Sequence, residues 1–268
     1  RFPTLKRVIS AGAPVPARVL RRWTGLIDAP AQIFTPYGAT ECLPVAILGS
    51  DTILGRTAAA SDQGAGICVG PPVTGLDLRI IAIDDGAITD WEVARELPVG
   101  GIGEVCVRAA QATRSYFQRD DQTALAKIAC DDGGFYHRMG DLGYRDADGH
   151  LWFCGRKSHR VRTTAGELYT IPVEGPCNTV DGVFRSALVG IGAPGAQRPV
   201  ICIECDAERP RSEHPRIRDA VTSRVRELQL CTPVERVLIH PGFPVDIRHN
   251  AKIDRPALAR WAGRMLGV

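Results

Sequence analysis

The fold is decided by Gln32-Ile-Phe-Thr-Pro-Tyr-Gly-Ala-Thr-Glu41, in which an apolar run passes directly into a short polar turn. Residues 32–36 are typical of a buried strand, and residues 37–41 place a hydroxyl and a carboxylate side by side after a glycine. An earlier stretch, Arg7-Val-Ile-Ser-Ala-Gly-Ala-Pro14, has the same character: a buried strand that ends in a glycine-containing turn. Two strand ends of one sheet carry such turns side by side, and ligands tend to bind at that edge.

A predicted helix comes after the first of these stretches along the chain, and a different strand pattern comes after the second. Pro16 is typical of a helix start. The residues after it are apolar at helical spacing, at Val19, Leu20, Trp23 and Leu26. From Gly70 to about Gly155 the pattern changes to short alternating strands, which predicts a small β-rich subdomain.

The last third of the chain has its own pattern of strands and helices. Strands are predicted near residues 184–190, 200–205 and 237–240, and a terminal helix over residues 256–265. Another helix carries an apolar stripe at Ile217, Val221, Val225 and Leu228. We therefore expect an α/β fold in which residues 1–157 are the C-terminal part of a large domain and residues 158–268 form a small, mobile α+β domain. Because Arg1-Phe2-Pro3 precedes a predicted strand without an initiator methionine, we expect the chain to begin inside a domain.

Composition excludes several classes of protein. A hydrophobic content of 44% and a charged content of 24% are ordinary for a globular protein and exclude disordered and collagen-like chains. The net charge of +3 gives no basic field for nucleic acid. The nine cysteines are scattered singly except for Cys202 and Cys205, which face opposite sides of a predicted strand and do not suit a metal. This usage and the absence of a long apolar run predict a cytoplasmic protein without a transmembrane segment.

Two motifs offer chemistry suited to a nucleotide. In Tyr37-Gly-Ala-Thr-Glu41, Gly38 permits close backbone approach to a ligand, Thr40 can donate to a phosphate oxygen, and Glu41 suits Mg²⁺. In Gly140-Asp-Leu-Gly-Tyr144, a carboxylate at the mouth of a strand is placed to accept both hydroxyls of a ribose. The alternative for residues 37–41 is an ordinary polar turn, and the alternative for residues 140–144 is the start of a hairpin. Asp146-Ala-Asp-Gly149 resembles the opening of a calcium loop, but the later ligands are absent, so it is interpreted as a turn.

Two further motifs present cationic side chains. Trp152-Phe-Cys-Gly-Arg-Lys-Ser158 ends a strand at a glycine and offers Arg156 to ribose oxygen or phosphate. His249-Asn-Ala-Lys-Ile-Asp254 delivers the ammonium of Lys252 just before the terminal helix, as a phosphoryl-transfer centre requires. A solvated basic turn and an ordinary surface lysine remain the alternatives.

Together with Ser10-Ala-Gly-Ala-Pro14, these four motifs resemble in their order the core motifs of the superfamily of acyl-CoA synthetases, peptide-synthetase adenylation domains and luciferases. The resemblance covers essentially the whole chain and implies an ATP-dependent enzyme that forms acyl adenylates. It implies that the adenine and acyl pockets are lined by Gly12, Ala13, Pro14, Tyr37 and Gly38.

The same resemblance implies roles for the polar residues. Thr40 would meet the phosphate and Glu41 would hold Mg²⁺. Asp141 and Arg156 would hold the ribose of ATP. Lys252 would be the catalytic lysine, and Ser158 falls at the hinge before the small mobile domain.

Several positions depart from the superfamily pattern. The glycine-rich phosphate loop is absent, because neither Gly64-Ala-Gly66 nor Gly100-Gly-Ile-Gly103 is followed by a lysine at the needed spacing. This predicts that roughly the first half of the enzyme is missing. Unusual residues also stand at Ala109, Met139, Ser158 and Asn250-Ala251, and they bear on the second half-reaction more than on the first.

Within the superfamily, the segments around Met139, Arg156 and Lys252 look most like the olefin β-lactone synthetases of bacterial long-chain olefin synthesis. That resemblance implies adenylation of a long-chain 2-alkyl-3-hydroxy acid, release of pyrophosphate, and closure to a β-lactone and AMP, alongside partner enzymes of an olefin pathway. A long-chain acyl-CoA ligase, with coenzyme A as acceptor, is the first alternative. An inactive remnant that binds nucleotide is the second, and the missing phosphate loop disfavours a small-molecule kinase. The isolated fragment is expected to be inactive.

Overall fold

A computed structural model describes residues 1–246 and 252–268 of the chain, which divides into two compact units. The first unit comprises Arg1–Ala59 and Gly66–Lys157, and the second comprises Ala60–Ala65 and Ser158–Val268. Helices and sheets are present in both, and the predicted α/β class is confirmed. Residues 60–65 belong to the second unit, although the sequence predicted them to be part of the large domain, residues 1–157.

The described elements are numbered in chain order. The strands are β1 (Arg7–Ile9), β2 (Gln32–Ala39), β3 (Cys42–Gly49), β4 (Ile67–Gly70), β5 (Asp77–Ile81), β6 (Gly103–Arg108), β7 (Lys127–Ala129), β8 (Phe135–Arg145), β9 (Leu151–Arg156), β10 (Val161–Thr163), β11 (Gly166–Leu168), β12 (Val183–Ile191), β13 (Arg198–Cys205) and β14 (Arg236–Ile239). The α-helices are α1 (Ala17–Thr24), α2 (Ser50–Thr52), α3 (Ala58–Asp62), α4 (Asp120–Ala126), α5 (Thr170–Cys177), α6 (His214–Arg226) and α7 (Arg255–Met265). A π-helical turn, Ile53–Thr57, joins α2 to α3, and short 3₁₀ turns cover Trp91–Val93, Lys157–His159 and Arg211–Glu213.

The first unit begins with a three-stranded sheet in the order β1-β2-β3. β1 and β2 are parallel, with Ile9 opposite Phe34, and β3 returns antiparallel to β2. α1 packs on this sheet through Leu20, which is buried with Ile33. The prediction that β1 is buried is wrong: Ile9 is 64% exposed. β1 is the edge strand of the described sheet, so only one of its sides is paired.

A six-stranded sheet forms the rest of the first unit. Its strand order is β4-β9-β8-β6-β5, with β7 added beside β8, and its neighbouring strands are antiparallel. This confirms the β-rich subdomain predicted from Gly70 to Gly155. The hairpin between β8 and β9 turns at Asp146, which accepts the amide of His150 at 2.8 Å and the indole of Trp152 at 2.8 Å. The interpretation of residues 146–149 as a turn is therefore confirmed.

The second unit is built on the sheet β12-β13-β14, whose two faces are buried separately. Alternate residues of β12 point to opposite faces, so Leu188 packs towards the core that contains α6 and Val189 towards the core that contains α7. The apolar stripe predicted at residues 217–225 forms the buried side of α6. Leu228 lies just beyond that helix, which ends at Arg226.

Candidate active site

The two turns predicted to lie together follow neighbouring strands of the first sheet. Because β1 and β2 are parallel and in register, the Ser10–Pro14 turn leaves the sheet at the end where β2 continues through Tyr37. The amide of Ser10 donates to the carbonyl of Phe34 at 3.0 Å, which extends the pairing by one residue. Gly12 has a φ of +98°, a conformation that side chains disfavour. Gly12 and Pro14 are exposed and Ala13 is half-buried.

Tyr37 was predicted to lie in a loop. It lies instead within β2, which continues to Ala39. Gly38 sits at an irregularity in the pairing of β2 with β3. A Cβ at this position would lie 2.6 Å from the carbonyl oxygen of Cys42 and 2.8 Å from the side chain of Leu43. The close approach that requires a glycine here is therefore made by the returning strand of the hairpin.

Asp141 connects Tyr37 and Arg156, the two other residues of the candidate nucleotide site that lie beside it. It is only 4% exposed and lies inside β8, not at the mouth of a strand as predicted. Tyr37 donates its hydroxyl to Asp141 Oδ2 at 2.7 Å, and Arg156 Nη1 donates to Asp141 Oδ1 at 2.8 Å. The same nitrogen, Arg156 Nη1, also donates to the carbonyl of Met139 at 3.1 Å, so it is held by two acceptors.

The electrostatics of this trio keep the tyrosine protonated. Burial, with the charge of Asp141 and the hydrogen bond to it, raises the pKa of Tyr37 well above its usual value. Burial also raises the pKa of the Asp141 carboxyl, while the Arg156 charge and the hydrogen bond from Tyr37 act in the opposite direction. A carboxylate offers about four lone-pair positions, and two are used here. The arrangement fits a ligand that brings a pair of hydroxyl donors, such as a ribose.

Glu41 lies at the tip of the hairpin between β2 and β3, beside the exposed Thr40. Tyr116 donates its hydroxyl to Glu41 Oε1 at 2.8 Å. Burial acts to raise the pKa of Glu41, but this hydrogen bond, one from the Glu41 backbone, and the charge of Arg156 outweigh it and lower the pKa below its usual value. An ionised carboxylate at an accessible turn is a hard oxygen donor of the kind that Mg²⁺ prefers, so Glu41 fits the predicted ion.

The remaining predicted residues belong to the border of the units and to the second unit. Ser158 is exposed and lies in the 3₁₀ turn Lys157–His159, where the first unit ends and the second begins. Lys252 is exposed, and its carbonyl accepts the amide of Asp246 at 2.9 Å. His249, Asn250 and Ala251 of the same motif lie outside the described residues.

Three polar residues near the predicted site were missed by the sequence analysis. Tyr116 contacts Glu41, and Lys127 donates to the carbonyl of Thr113 and lies close enough to Glu41 for the two charges to interact. His137 is 1% exposed, and burial lowers its pKa to about 4. None of the three stands in a motif with telling spacing, and Lys127 had only the rarity of lysine in this chain to mark it.

Comparison with known proteins places this geometry in a family. A family model described as AMP-binding enzyme matches residues 1–117. Over 99% of its length the chain is 52% identical to the olefin β-lactone synthetase of Stenotrophomonas maltophilia, of which it covers 48%. Residues 1–117 of the chain belong to the AMP-binding enzyme family. The chain's predicted resemblance to acyl-adenylate-forming enzymes is thereby confirmed.

Other members agree in sequence and in fold. The chain is 48% identical, over 98% of its length, to the olefin β-lactone synthetase of Xanthomonas campestris pv. campestris, of which it covers 48%. The structure of an amide bond synthetase from Marinactinospora thermotolerans superposes with a TM-score of 0.73 at 25% identity, covering 96% of this chain and 47% of that one. The chain spans about half the length of the curated relatives it matches. None of the helices in the described parts has the length and apolar character needed to cross a membrane.

Proposed function

We propose that this chain supplies the C-terminal half of an ATP-dependent ligase that adenylates a long-chain carboxylic acid. The observation that carries the proposal is the convergence of Tyr37 and Arg156 on the buried carboxylate of Asp141. The three residues come from β2, β8 and β9, and they hold one negative charge in place with hydrogen-bonding capacity to spare. Two relatives that are 52% and 48% identical to this chain support the proposal, since both are named as olefin β-lactone synthetases.

In this proposal the Asp141 carboxylate accepts hydrogen bonds from the ribose hydroxyls of ATP. Arg156, whose side chain is half exposed, offers its remaining N–H groups to ribose oxygen or to phosphate. The Tyr37 phenol keeps its proton and holds the carboxylate in one orientation. Burial makes this arrangement rigid before the ligand arrives, which lowers the entropic cost of binding.

The Thr40–Glu41 turn is assigned to the phosphates. Thr40 is exposed and free to donate its hydroxyl to a phosphate oxygen, and Glu41 would hold Mg²⁺. The bound ion would neutralise phosphate charge during transfer. Lys252 is assigned the role of stabilising the charge shared between the attacking carboxylate oxygen and the α-phosphate. Loss of one such preorganised donor typically costs about 10²–10³ in rate.

The proposed substrate is a long-chain 2-alkyl-3-hydroxy acid. Its carboxylate oxygen bonds to the α-phosphorus of ATP as pyrophosphate leaves. Its own 3-hydroxyl oxygen then attacks the acyl carbon, the hydroxyl proton is released, and AMP leaves with the electrons of the broken acyl–oxygen bond, giving a β-lactone. Because the attack is intramolecular, proximity favours it strongly and no thiol acceptor is required.

Product analysis on the full-length parent protein tests this assignment. The parent is incubated with ATP, MgCl₂ and a long-chain 2-alkyl-3-hydroxy acid, with and without coenzyme A, and the organic extract is analysed by mass spectrometry. The proposal predicts a β-lactone and AMP in both incubations. The unhydroxylated acid of the same length is the matched control and should yield no lactone. Turnover only in the presence of coenzyme A, with a thioester as product, would overturn the lactone assignment in favour of an acyl-CoA ligase.

A further inference from the structure

A short segment after β6, residues 111–116, is held against the hairpin that carries Glu41; it is termed the strap below. The amide of Thr113 donates to the carbonyl of Glu41 at 2.8 Å, and the hydroxyl of Tyr116 donates to the Glu41 side chain at 2.8 Å. Gln111 at the start of the strap donates to the carbonyl of Pro44 at 3.2 Å, on the next strand of the same hairpin. One segment therefore fixes both the backbone and the carboxylate of Glu41.

The strap is itself anchored by residues outside the hairpin. The ammonium of Lys127 donates to the carbonyl of Thr113 and lies 4.9 Å from the centre of the Phe135 ring. The amide of Tyr116 donates to the hydroxyl of Thr123 in α4 at 3.0 Å. Thr113 and Tyr116, the two strap residues that contact Glu41, are therefore each held by a further hydrogen bond. These bonds restrict where the tyrosine hydroxyl can lie relative to the carboxylate.

The position of Glu41 makes such support necessary. It is half exposed at a hairpin tip, and an unsupported glutamate there would lose rotamer entropy on being ordered by a ligand. Carboxylates that bind metal ions are commonly held by hydrogen bonds from neighbouring residues, and loss of such a neighbour typically lowers metal affinity about 10- to 100-fold. Tyr116 Oη leaves the second lone pair of Oε1 available.

We propose that Tyr116 is a positioning residue that holds the carboxylate of Glu41 in the orientation needed for a divalent cation, with the Thr113 amide and Lys127 fixing the strap that carries it. The inference rests on the proposed function, since it assigns the cation to Glu41. It adds a residue 75 positions away in sequence, outside every motif that pointed to the site.

The test measures metal-dependent nucleotide binding without turnover. The full-length parent is mixed with a fluorescent ATP analogue in the absence of any carboxylic acid, and binding is followed by anisotropy during a MgCl₂ titration and, separately, in EDTA. Tyr116→Phe removes only the hydroxyl. It is expected to raise the half-saturating Mg²⁺ concentration about tenfold while leaving the affinity in EDTA unchanged. Tyr144→Phe, which removes a hydroxyl from β8 outside the strap, should match the wild type in both conditions.

The outcomes separate the inference from the proposed function. An unchanged Mg²⁺ requirement in Tyr116→Phe, or an equal loss of affinity in EDTA, overturns the positioning role, because a merely structural hydrogen bond would not act through the ion. If Tyr116→Phe does not fold, Thr123→Val provides the second variant: it removes the hydroxyl that accepts the Tyr116 amide without changing any charge, and it must raise the Mg²⁺ requirement in the same direction. Absence of Mg²⁺-dependent binding by the wild type instead contradicts the proposed function itself.

Discussion

Tyr37 and Asp141 are 104 residues apart in sequence, yet the tyrosine hydroxyl lies 2.7 Å from Asp141 Oδ2. The contact ties β2 of the first sheet to β8 of the second, and Arg156 of β9 completes it from the other side of the carboxylate. The two sheets also share an apolar core, in which Val45 of β3 packs with Leu78 of β5, and the contact at Asp141 adds a polar link between them. The proposed ribose site depends on this junction more than on any single motif.

The charge of Asp141 is predicted to govern ATP affinity. Asp141→Asn preserves the shape of the side chain but removes the acceptor for Tyr37 or Arg156 and the charge offered to the ribose. Hydrogen bonds to charged groups contribute about 1.5–3 kcal/mol, so ATP should bind about 10- to 100-fold more weakly to the full-length parent, as measured by calorimetry. Asp148→Asn, at an exposed aspartate of the β8–β9 turn, is the matched control. Equal affinities in the two variants would contradict the assignment.

A buried ionic cluster is predicted to dominate the stability of the first unit. Glu104 is 1% exposed, and its carboxylate accepts hydrogen bonds from Arg138 Nη2 at 2.7 Å and from Lys157 Nζ at 3.0 Å. Glu104→Ala leaves two cations without their carboxylate and should lower the free energy of unfolding by about 3–5 kcal/mol. Lys157→Met leaves the Glu104–Arg138 pair intact and should cost clearly less. Urea denaturation of both variants checks this, and similar losses would show that the cluster is not held by Glu104.

A buried ion pair in the second unit, between Arg255 and Glu174, is predicted to stabilise the start of α7, three residues after Lys252. Arg255 at the start of α7 binds Glu174 through two contacts, at 2.5 and 2.9 Å, and the amide of Leu188 donates to Glu174 at 2.7 Å. Glu174→Ala should cost about 3–5 kcal/mol of unfolding free energy. Hydrogen exchange at the Leu188 amide provides a local measurement of that loss.

The control for this prediction is an exposed pair in the same unit. Arg198 lies 3.3 Å from Glu235, and both side chains are substantially exposed. Exposed pairs contribute about 0–1 kcal/mol, so Arg198→Ala should be close to the wild type. If Glu174→Ala and Arg198→Ala had the same effect, burial would not be the reason for the strength of the Glu174 pair.

The buried His137 predicts a specific pH dependence of stability. Burial lowers its pKa to about 4 from an ordinary value of 6.5, so the folded state keeps it neutral while the unfolded state binds a proton below pH 6.5. The stability contributed by the neutral ring is therefore complete above pH 6.5 and falls as pH decreases towards 4. Between pH 7 and pH 5 the wild type should lose ~2 kcal/mol more than His137→Gln in urea denaturation. Parallel curves would show that His137 titrates normally.

Much of the fold follows from local sequence, because period and turn chemistry act over a few residues. The stripe Ile217, Val221 and Val225 specified α6, and residues 146–149 specified the β8–β9 turn. Gly38 was marked as special because it permits close approach of a ligand, and that role stays a prediction. Its steric requirement comes from Cys42, a contact that exists only once β3 has returned along β2.

The site was predictable only where a residue type implied its own chemistry. Asp141 stands out as a carboxylate between two glycines, and Glu41 as a carboxylate directly after a threonine. Tyr116 carries no such signal in the sequence, and only the fold brings its hydroxyl 2.8 Å from Glu41 Oε1. The burial of Glu104 and Glu174 was also hidden, since each is explained by a cationic partner distant in sequence. Sequence spacing carries no information about contacts that are set by strand order. The roles predicted for all of the site residues stay predictions: Gly12, Ala13, Pro14, Tyr37, Gly38, Thr40, Glu41, Asp141, Arg156, Ser158 and Lys252.

The most direct measurement of the central claim is ATP–pyrophosphate exchange by the full-length parent, driven by a long-chain 2-alkyl-3-hydroxy acid. The account predicts exchange by the wild type, a loss of about 10²–10³ in Lys252→Ala, and wild-type rates in Lys6→Ala, which removes another exposed lysine of the chain. Exchange that survives in Lys252→Ala would contradict the role of that lysine. No exchange with any carboxylic acid would contradict adenylation and leave an inactive nucleotide-binding remnant as the better description.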